Sequence, residues 1–311
     1  LRRELRAQRR ARFARMPLVS VAVPLYNTPP RFLRQLVRSL RRQTYANWEL
    51  VLADASDADG GAARRVMQSV RDKRVRVLTL AENGGIARNT NAALAAARGE
   101  YLALLDHDDV LTPNALYEAV RAVNEQDADF IYSDEIVLDA ALKKLIQYHF
   151  KPDFSPDTLR GCNYITHLTV FSRALLDAAG GGERPEYDGA QDFDLILRLT
   201  EKARRVVHIP KVLYWWRGHS GSTAQGIGAK PYALAAGAAA VSAQLERLGL
   251  PGAVEPLPGS PGAYRVRYEI TCPGRVSVLI PNKDHRDDLA RCLDSLYRNA
   301  GWDDLEVLVI E

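Results

Sequence analysis

From Leu18 onward, apolar runs of strand length alternate with amphipathic stretches. Leu18–Val23 is apolar and stops at Pro24, and Leu25-Tyr26-Asn27 followed by Pro29-Pro30 reads as a turn. Arg31–Gln43 then carries Phe32, Leu33, Leu36, Val37 and Leu40 at the spacing that lines one face of a helix. Leu50–Ala53 predicts a second strand, ending in Asp54-Ala55-Ser56-Asp57. Arg64–Arg71 reads as helix, Val75–Leu80 as strand, and Glu82-Asn83-Gly84-Gly85 as a loop before an alanine-rich helix, Ile86–Ala97. A strand at Tyr101–Leu105, a helix near Pro113–Asn124 and a strand at Phe130–Tyr132 complete the alternation. This order predicts βαβ units and an α/β fold: a mainly parallel, Rossmann-like central sheet flanked by helices. Ligands of such sheets bind beyond the C-terminal ends of the strands. Polar groups gather at three of those ends: Tyr26 and Asn27, Asp54 and Ser56, and Asp106 through Asp109.

The pattern is less regular further on. Lys151–Arg160, with two prolines, reads as loop, Asn163–Phe171 as strand, and Gly180-Gly181-Gly182 as a flexible break. Gly189-Ala190-Gln191-Asp192-Phe193-Asp194 precedes a helical face of Leu195, Ile196 and Leu199. Val206–Ile209 and Val212–Trp216 predict short strands, Arg217–Ser222 a polar loop, and Tyr232–Leu248 an alanine-rich helix. Leu250–Gly262 is rich in Pro and Gly and marks a linker. Val276-Ser277-Val278-Leu279-Ile280-Pro281 then repeats Val19-Ser20-Val21-Ala22-Val23-Pro24 at an offset of 257 residues. Ser295-Leu296 matches Ser39-Leu40 after a one-residue slip, and Glu306–Glu311 lies opposite Glu49–Asp54. A shared strand–helix–strand with the same punctuation argues for a duplicated domain. The expected division is a basic lead-in at 1–17, a main domain at 18–249, a linker at 250–275, and at 276–311 the truncated start of a second, similar domain. A longer tandem protein is expected.

The tip of the Tyr101–Leu105 strand carries Asp106-His107-Asp108-Asp109. Three close acids repel one another unless a cation sits among them, which points to a divalent-metal site. The competing reading is an acidic helix start, because Thr112-Pro113 has the form of an N-cap followed by proline. Composition narrows the class: 311 residues with 47% apolar and 26% charged content are those of a soluble globular protein. No run approaches the length of a membrane span. Cys162, Cys272 and Cys292 are too few and too scattered for a disulfide framework or a zinc site, so a reducing cytoplasm is expected. A net charge of +4 is too mild to indicate nucleic acid. Seven arginines fall in the first sixteen residues. They read either as a solvated helical lead-in or as a peripheral contact with the anionic inner face of the cytoplasmic membrane.

Five motifs in this order resemble glycosyltransferase family 2 with the GT-A fold: Val-Ala-Val-Pro-Leu-Tyr-Asn, Asn-Gly-Gly-Ile-Ala-Arg-Asn, Leu-Leu-Asp-His-Asp-Asp, Gln-Asp-Phe-Asp-Leu and Arg-Gly-His. The nearest look-alikes are tandem-domain, rhamnosyltransferase-like enzymes of bacterial O-antigen and surface-polysaccharide assembly. The resemblance covers roughly Leu18–Leu248, and Arg275–Glu311 as the start of a second copy. It implies that Pro24, Tyr26 and Asn27 border a nucleotide, that Asp54 contacts the base with Ser56 nearby, and that Arg88 lies against the base or its phosphates. Asp106 and Asp108 would be the DXD pair, Asp106 towards the ribose and Asp108 on Mg²⁺ or Mn²⁺. His219 would complete the metal and diphosphate site. Asp192 would be the catalytic base, although the glutamate usual before it is Gln191 here and Asp194, two residues on, is the alternative.

The implied activity is metal-dependent, inverting transfer of a sugar from a UDP- or dTDP-linked donor to a hydroxyl of a growing bacterial glycan or lipid-linked glycan. A nucleotidyltransferase would carry a glycine-rich loop with a basic residue after the first strand, whereas this turn is Pro-Leu-Tyr-Asn. The other alternative is a degenerate domain that only binds sugar or nucleotide. His107 is expected to shape the turn rather than bind metal, and His167 to be a core or acceptor-pocket polar group. Trp215-Trp216 reads as sugar platform or buried core, and Asp134 and Glu135 as acceptor-facing or surface acids.

Overall fold

The computed structural model describes residues 2–57, 66, 68–218 and 231–311. The first strand, β1 (Val19–Leu25), pairs in parallel with β2 (Trp48–Asp54) on one side and with β4 (Tyr101–Leu104) on the other. β3 (Val75–Thr79) extends this parallel half beyond β2. Between them lie α2 (Pro30–Arg41) and α3 (Ile86–Ala96), and the helix expected at Arg64–Arg71 falls partly outside the described residues. The opposite half is mixed. β8 (Thr169–Ser172) joins β4 to β6 (Phe130–Asp139), antiparallel to both. β6 pairs in parallel with β9 (Val206–Gly218), which carries β5 (Val110–Leu111) antiparallel on its far side. β7 (Leu145–His149) folds back on β6.

Residues on the two faces of β1 enter different cores, which is why its apolar run is nearly continuous. Val19, Val21 and Val23 pack with Leu33, Leu36 and Leu40 of α2. Ala22 packs with Ala93 and Leu94 of α3 and with Phe193, Leu195 and Ile196 from α7 (Gln191–Lys202). The helical lead-in is α1 (Arg2–Arg10), and the lead-in packs on the domain. Gln8 is buried and accepts a 3.0 Å hydrogen bond from Thr44, while Phe13 meets Tyr117 at 5.1 Å between ring centres.

Several elements differ from the expected ones. Val206–Ile209 and Val212–Trp216 are one bulged strand, β9. Lys151–Arg160 contains a short helix, α5 (Pro156–Gly161), capped by Ser155, and a second short helix, α6 (Arg173–Ala178), follows β8. The helix after the acidic turn, α4 (Ala115–Gln126), starts beyond Thr112-Pro113, with Asn114 at the N-cap position. Thr112 instead donates its hydroxyl to Asn114 at 3.0 Å. The N-cap alternative for the acidic turn therefore has no basis at Thr112. β6 continues past Tyr132, so Asp134 and Glu135 sit inside a strand and are buried rather than placed at a strand end or on the surface.

Residues 250–267, within the expected linker, form a hairpin of β10 (Gly252–Pro256) and β11 (Tyr264–Tyr268) that packs on α8 (Pro231–Leu248). The large unit ends at Arg267, and Tyr268–Glu311 is a separate one. In that smaller unit, β12 (Val276–Pro281), α9 (Arg286–Asn299) and β13 (Leu305–Ile310) form a parallel strand–helix–strand. Val276 pairs with Leu305 as Val19 pairs with Trp48, the same register displaced by the repeat. Ser277 donates to Glu306 at 2.7 Å, and Ser20 to Glu49 at 2.7 Å, so the repeat preserves a side-chain contact as well as an apolar pattern.

Candidate functional site

The end of β4 is fixed from both sides. Leu105 makes the last sheet contact, its N–H donating to the Ala22 carbonyl at 3.2 Å. Asp106–Asp109 then turns, with the Asp109 N–H donating to the Asp106 carbonyl at 3.2 Å, and enters β5. Asp109 holds the turn down: it is fully buried and accepts from Tyr214 Oη at 2.6 Å and from the Arg217 N–H at 2.7 Å. Burial, then the nearby charges of Asp108 and Asp106, push its carboxyl well above the usual range. The buried Arg217 guanidinium stacks on Phe32 at 4.2 Å and donates to the backbone carbonyls of Asp108 and Ala140. One of the three clustered acids is thus structural, leaving Asp106 and Asp108 as the candidates for chemistry.

Asp106 opens onto a cavity of about 580 Å³. Its floor comes from the β1 end (Ala22, Pro24), its sides from Thr90 on α3, Asp192 on α7 and Trp216 on β9, and another wall from the hairpin residues Pro261, Gly262 and Tyr264. The Asp106 side chain is 45% exposed and lies 3.4 Å from His167 Nε2, while His167 Nδ1 is 3.0 Å from Glu135. Burial works against charge on His167, but the carboxylates of Glu135 and Asp106 outweigh it and raise its pKa well above the ordinary value. The His167 ring is stacked on Tyr214 with 4.5 Å between ring centres. Burial likewise opposes charge on Asp106, yet the hydrogen bond and charge of His167 keep its carboxyl below the usual range. Glu135 anchors this arrangement. It is fully buried and gathers His149 at 2.9 Å, Thr166 at 3.1 Å and Lys151 at 3.4 Å besides His167.

Asp192 and Asp194 separate cleanly. Both lie in the first turn of α7, but two residues turn a helix by about 200°, so they face different ways. Asp194 is fully buried and bound by Arg184 Nε at 2.9 Å and Arg198 Nε at 3.0 Å, with a further bond from Arg184 Nη2. Asp192 lines the cavity and accepts from Asn163 Nδ2 at 3.0 Å. Burial raises its carboxyl above the ordinary range, and the charge of His167 opposes that rise.

The nucleotide-bordering candidates form a neighbouring cluster at the ends of β1 and β2, where Leu25 and Asp54 are register partners. Asp54 is buried and accepts from the Ser56 N–H at 3.1 Å, while the Ser56 hydroxyl accepts from the Asn27 N–H at 2.9 Å. Asn27 donates to Asp57 at 2.9 Å and the exposed Tyr26 does so at 3.3 Å. Pro24 joins this cluster to the cavity wall. Arg88 is exposed on α3 with its stem against Gly84, outside the cavity lining. His219 lies outside the described residues. Among the described residues, no group of three or more His, Cys, Asp or Glu is arranged to hold a metal ion. Of the two tryptophans only Trp216 lines the cavity, 5.2 Å from His167 between ring centres.

Glu183 and Asn163 also line the cavity, and neither stands out in the sequence. Glu183 follows the triple glycine that reads as a flexible break, and only the fold brings it beside α3.

The model of Glycosyl transferase family 2 matches residues 20–137. The chain is 38% identical over 303 residues to the O-antigen biosynthesis protein RfbC of Myxococcus xanthus, a match covering 96% of this chain and 23% of that protein. It spans about a third or less of the length of the first curated relatives it matches. Among solved structures, S. aureus TarS 1-349 in complex with UDP-GlcNAc superposes with a TM-score of 0.56 at 22% identity, covering 66% of this chain and 59% of that one. A mannosyltransferase from Pyrobaculum calidifontis in complex with GDP-Man and Mn²⁺ gives a TM-score of 0.53 at 19% identity, covering 79% and 81%. These likenesses are in fold, and the sheet with its cavity at the ends of β1 and β4 is of the GT-A kind. From β1 into β6, over residues 20–137, the chain carries a segment that matches glycosyl transferase family 2, and this fold is built around that segment.

Proposed function

We propose that the chain is a metal-dependent, inverting glycosyltransferase that moves a sugar from a UDP- or dTDP-linked donor to a hydroxyl of a growing bacterial surface glycan. The observation that carries this reading is that Asp106 and Asp192, far apart in sequence, line one cavity beyond the strand ends. The cluster of Tyr26, Asn27, Asp54 and Ser56 would receive the base and ribose, with Arg88 reaching in from α3. Asp106 and Asp108 are two carboxylates on one turn. Asp106 would point towards the ribose and Asp108 would hold Mg²⁺ or Mn²⁺, an ion that can bind through a single carboxylate and take its remaining ligands from water and phosphate oxygens. His219 is the further candidate ligand. Such an ion would neutralise charge on the departing diphosphate.

Asp192 would accept the proton of the acceptor hydroxyl as its oxygen attacks the anomeric carbon and the bond to the diphosphate breaks. Single displacement inverts that carbon. A base works best with a pKa near the operating pH, and burial moves Asp192 in that direction. His167, set between Glu135 and Asp106, would orient Asp106 and moderate the negative charge of the cavity. RfbC is named for O-antigen biosynthesis, which supports a polysaccharide acceptor. The reaction would run at the cytoplasmic face of the inner membrane, where the arginines of α1 could meet anionic lipid. In a larger tandem protein the repeat at 276–311 would open a second transferase domain.

The test is calorimetric titration of the protein with UDP, dTDP and GDP, with and without Mn²⁺. Tight binding of one nucleotide only with metal is the expected result. Failure of the folded protein to bind any of the three would leave a degenerate domain, one that binds sugar or scaffolds its partner domain, as the better reading.

A further inference from the structure

The loop between the triple glycine and α7 carries two carboxylate oxygens with no evident purpose. Glu183 is 6% exposed, and its Oε2 is buried without a hydrogen-bond partner; Asp188 Oδ1 is in the same state. Both residues line the cavity. A buried acceptor left unpaired is unfavourable and calls for an explanation.

Glu183 is not there by loose packing. Asn91 of α3 donates its side-chain amide to the Glu183 carbonyl at 2.7 Å and accepts from the Glu183 N–H at 2.8 Å. The clamp works because position 182 is glycine: a Cβ there would stand 2.0 Å from Asn91 Oδ1. Thr90, one residue back on α3, hydrogen-bonds the Glu183 carboxyl. The helix thus fixes the backbone and one side of the carboxyl, and Oε2 is left without a partner in a residue that lines the cavity. Burial first, then the charge of Asp192, hold this carboxyl well above the usual range, with Asp106 and Asp188 adding to the effect. A carboxyl pushed up in this way favours its protonated form, which can both donate and accept. A neutral carboxyl suits a hydroxyl, which does the same, and it adds no further charge to a cavity that must admit a diphosphate.

We propose that Glu183 is a specificity-determining residue that reads a hydroxyl of the transferred sugar. This rests on the glycosyltransferase reading. Its place beside Asp192, rather than in the Asp54 cluster, puts it against the sugar and not the base.

The test compares wild type with E183Q, E183A and E183L by calorimetry in Mn²⁺. The probes are UDP, UDP-glucose and UDP-N-acetylglucosamine, dTDP and dTDP-rhamnose, and GDP and GDP-mannose. For the preferred pair, affinity for the bare nucleotide should stay within about twofold in every variant. The extra affinity contributed by the sugar should fall about tenfold in E183A and E183L and be largely kept in E183Q. Equal losses for bare and sugar-bearing nucleotide would make Glu183 merely structural and overturn the proposal. So would an unchanged sugar increment in E183A. If wild type bound none of the nucleotides, the glycosyltransferase reading itself would fall; normal wild-type binding with an indifferent E183A sinks only the role of Glu183.

Discussion

Asp192 and Asp194 are close in sequence but differ in surroundings, one lining the cavity and the other bound by two arginines, so replacing each by asparagine should fail in a different way. Asp194 is fully buried and accepts bonds at 2.9 Å from Arg184 and 3.0 Å from Arg198, and a further one from Arg184. Asp194→Asn removes the charge that balances two guanidiniums, of which Arg198 is 5% exposed. Breaking a buried pair from one side costs about 3–5 kcal/mol. A domain of this size loses about 2–4 °C in melting midpoint per kcal/mol, so a fall of roughly 6–20 °C is expected. Asp192 accepts one bond, from Asn163 at 3.0 Å, which the amide oxygen of asparagine can also accept. Burial already disfavours its charge, so Asp192→Asn should shift the midpoint by no more than about 2 °C. Turnover, followed as released nucleoside diphosphate, should fall by about 10²–10⁴ because the proton acceptor is lost, while calorimetric nucleotide affinity is nearly unchanged. Thermal unfolding and turnover on the same preparations decide the matter. An Asp192→Asn enzyme that still turns over, beside an inactive Asp194→Asn enzyme with an unchanged midpoint, would reverse the assignment.

Glu49 offers a test of pH linkage. It is 2% exposed, and burial opposes its charge, but bonds from the Arg98 backbone, Ser20, the Arg98 side chain and Arg76 outweigh that and lower its pKa. A lowered folded-state pKa gives stability that is present above the unfolded value of about 4.3 and is lost as pH falls through the folded value. Glu49→Gln should therefore be less stable in urea by about 1–3 kcal/mol at pH 7, with the deficit shrinking in acid; a deficit independent of pH would refute the linkage. Because burial raises the Asp192 carboxyl, the acid limb of the turnover–pH profile should lie above the ordinary carboxylate range, and activity should fall as pH drops through it. Gly237→Ala should displace Tyr264, whose hydroxyl would lie 1.9 Å from the new Cβ. Since Tyr264 walls the cavity, sugar-nucleotide affinity should drop several-fold, and unaltered binding would show the hairpin to be irrelevant to the site. Asp108→Asn should abolish the Mn²⁺ dependence of nucleotide binding seen in calorimetry, and a retained dependence would place the ion elsewhere.

Local pattern alone determined much of this protein. Most strands and helices through Tyr132, though not the short β5, the αβ alternation, the acidic turn after β4 and the repeat at Val276 follow from apolar periodicity and punctuation, because those features act over a few residues. The repeat even carries over a side-chain pairing: Ser20 with Glu49 and Ser277 with Glu306 occupy the same register. What only the tertiary structure decided depends on contacts between distant segments. Asp109, one of three adjacent acids, is structural because Tyr214 and Arg217 arrive from more than a hundred residues away. Asp134 and Glu135 are buried because β6 runs on between β7 and β9 and meets Lys151, His167 and His208 there. A proline- and glycine-rich stretch that reads as linker becomes a cavity wall because Gly237 leaves room for Tyr264. Glu183 shares the cavity lining with Asp192 because Asn91 fixes its backbone. Sequence periodicity states which face of an element is apolar, but not which distant side chain will stand opposite a polar one, and it is that opposition that sets charge, burial and chemistry.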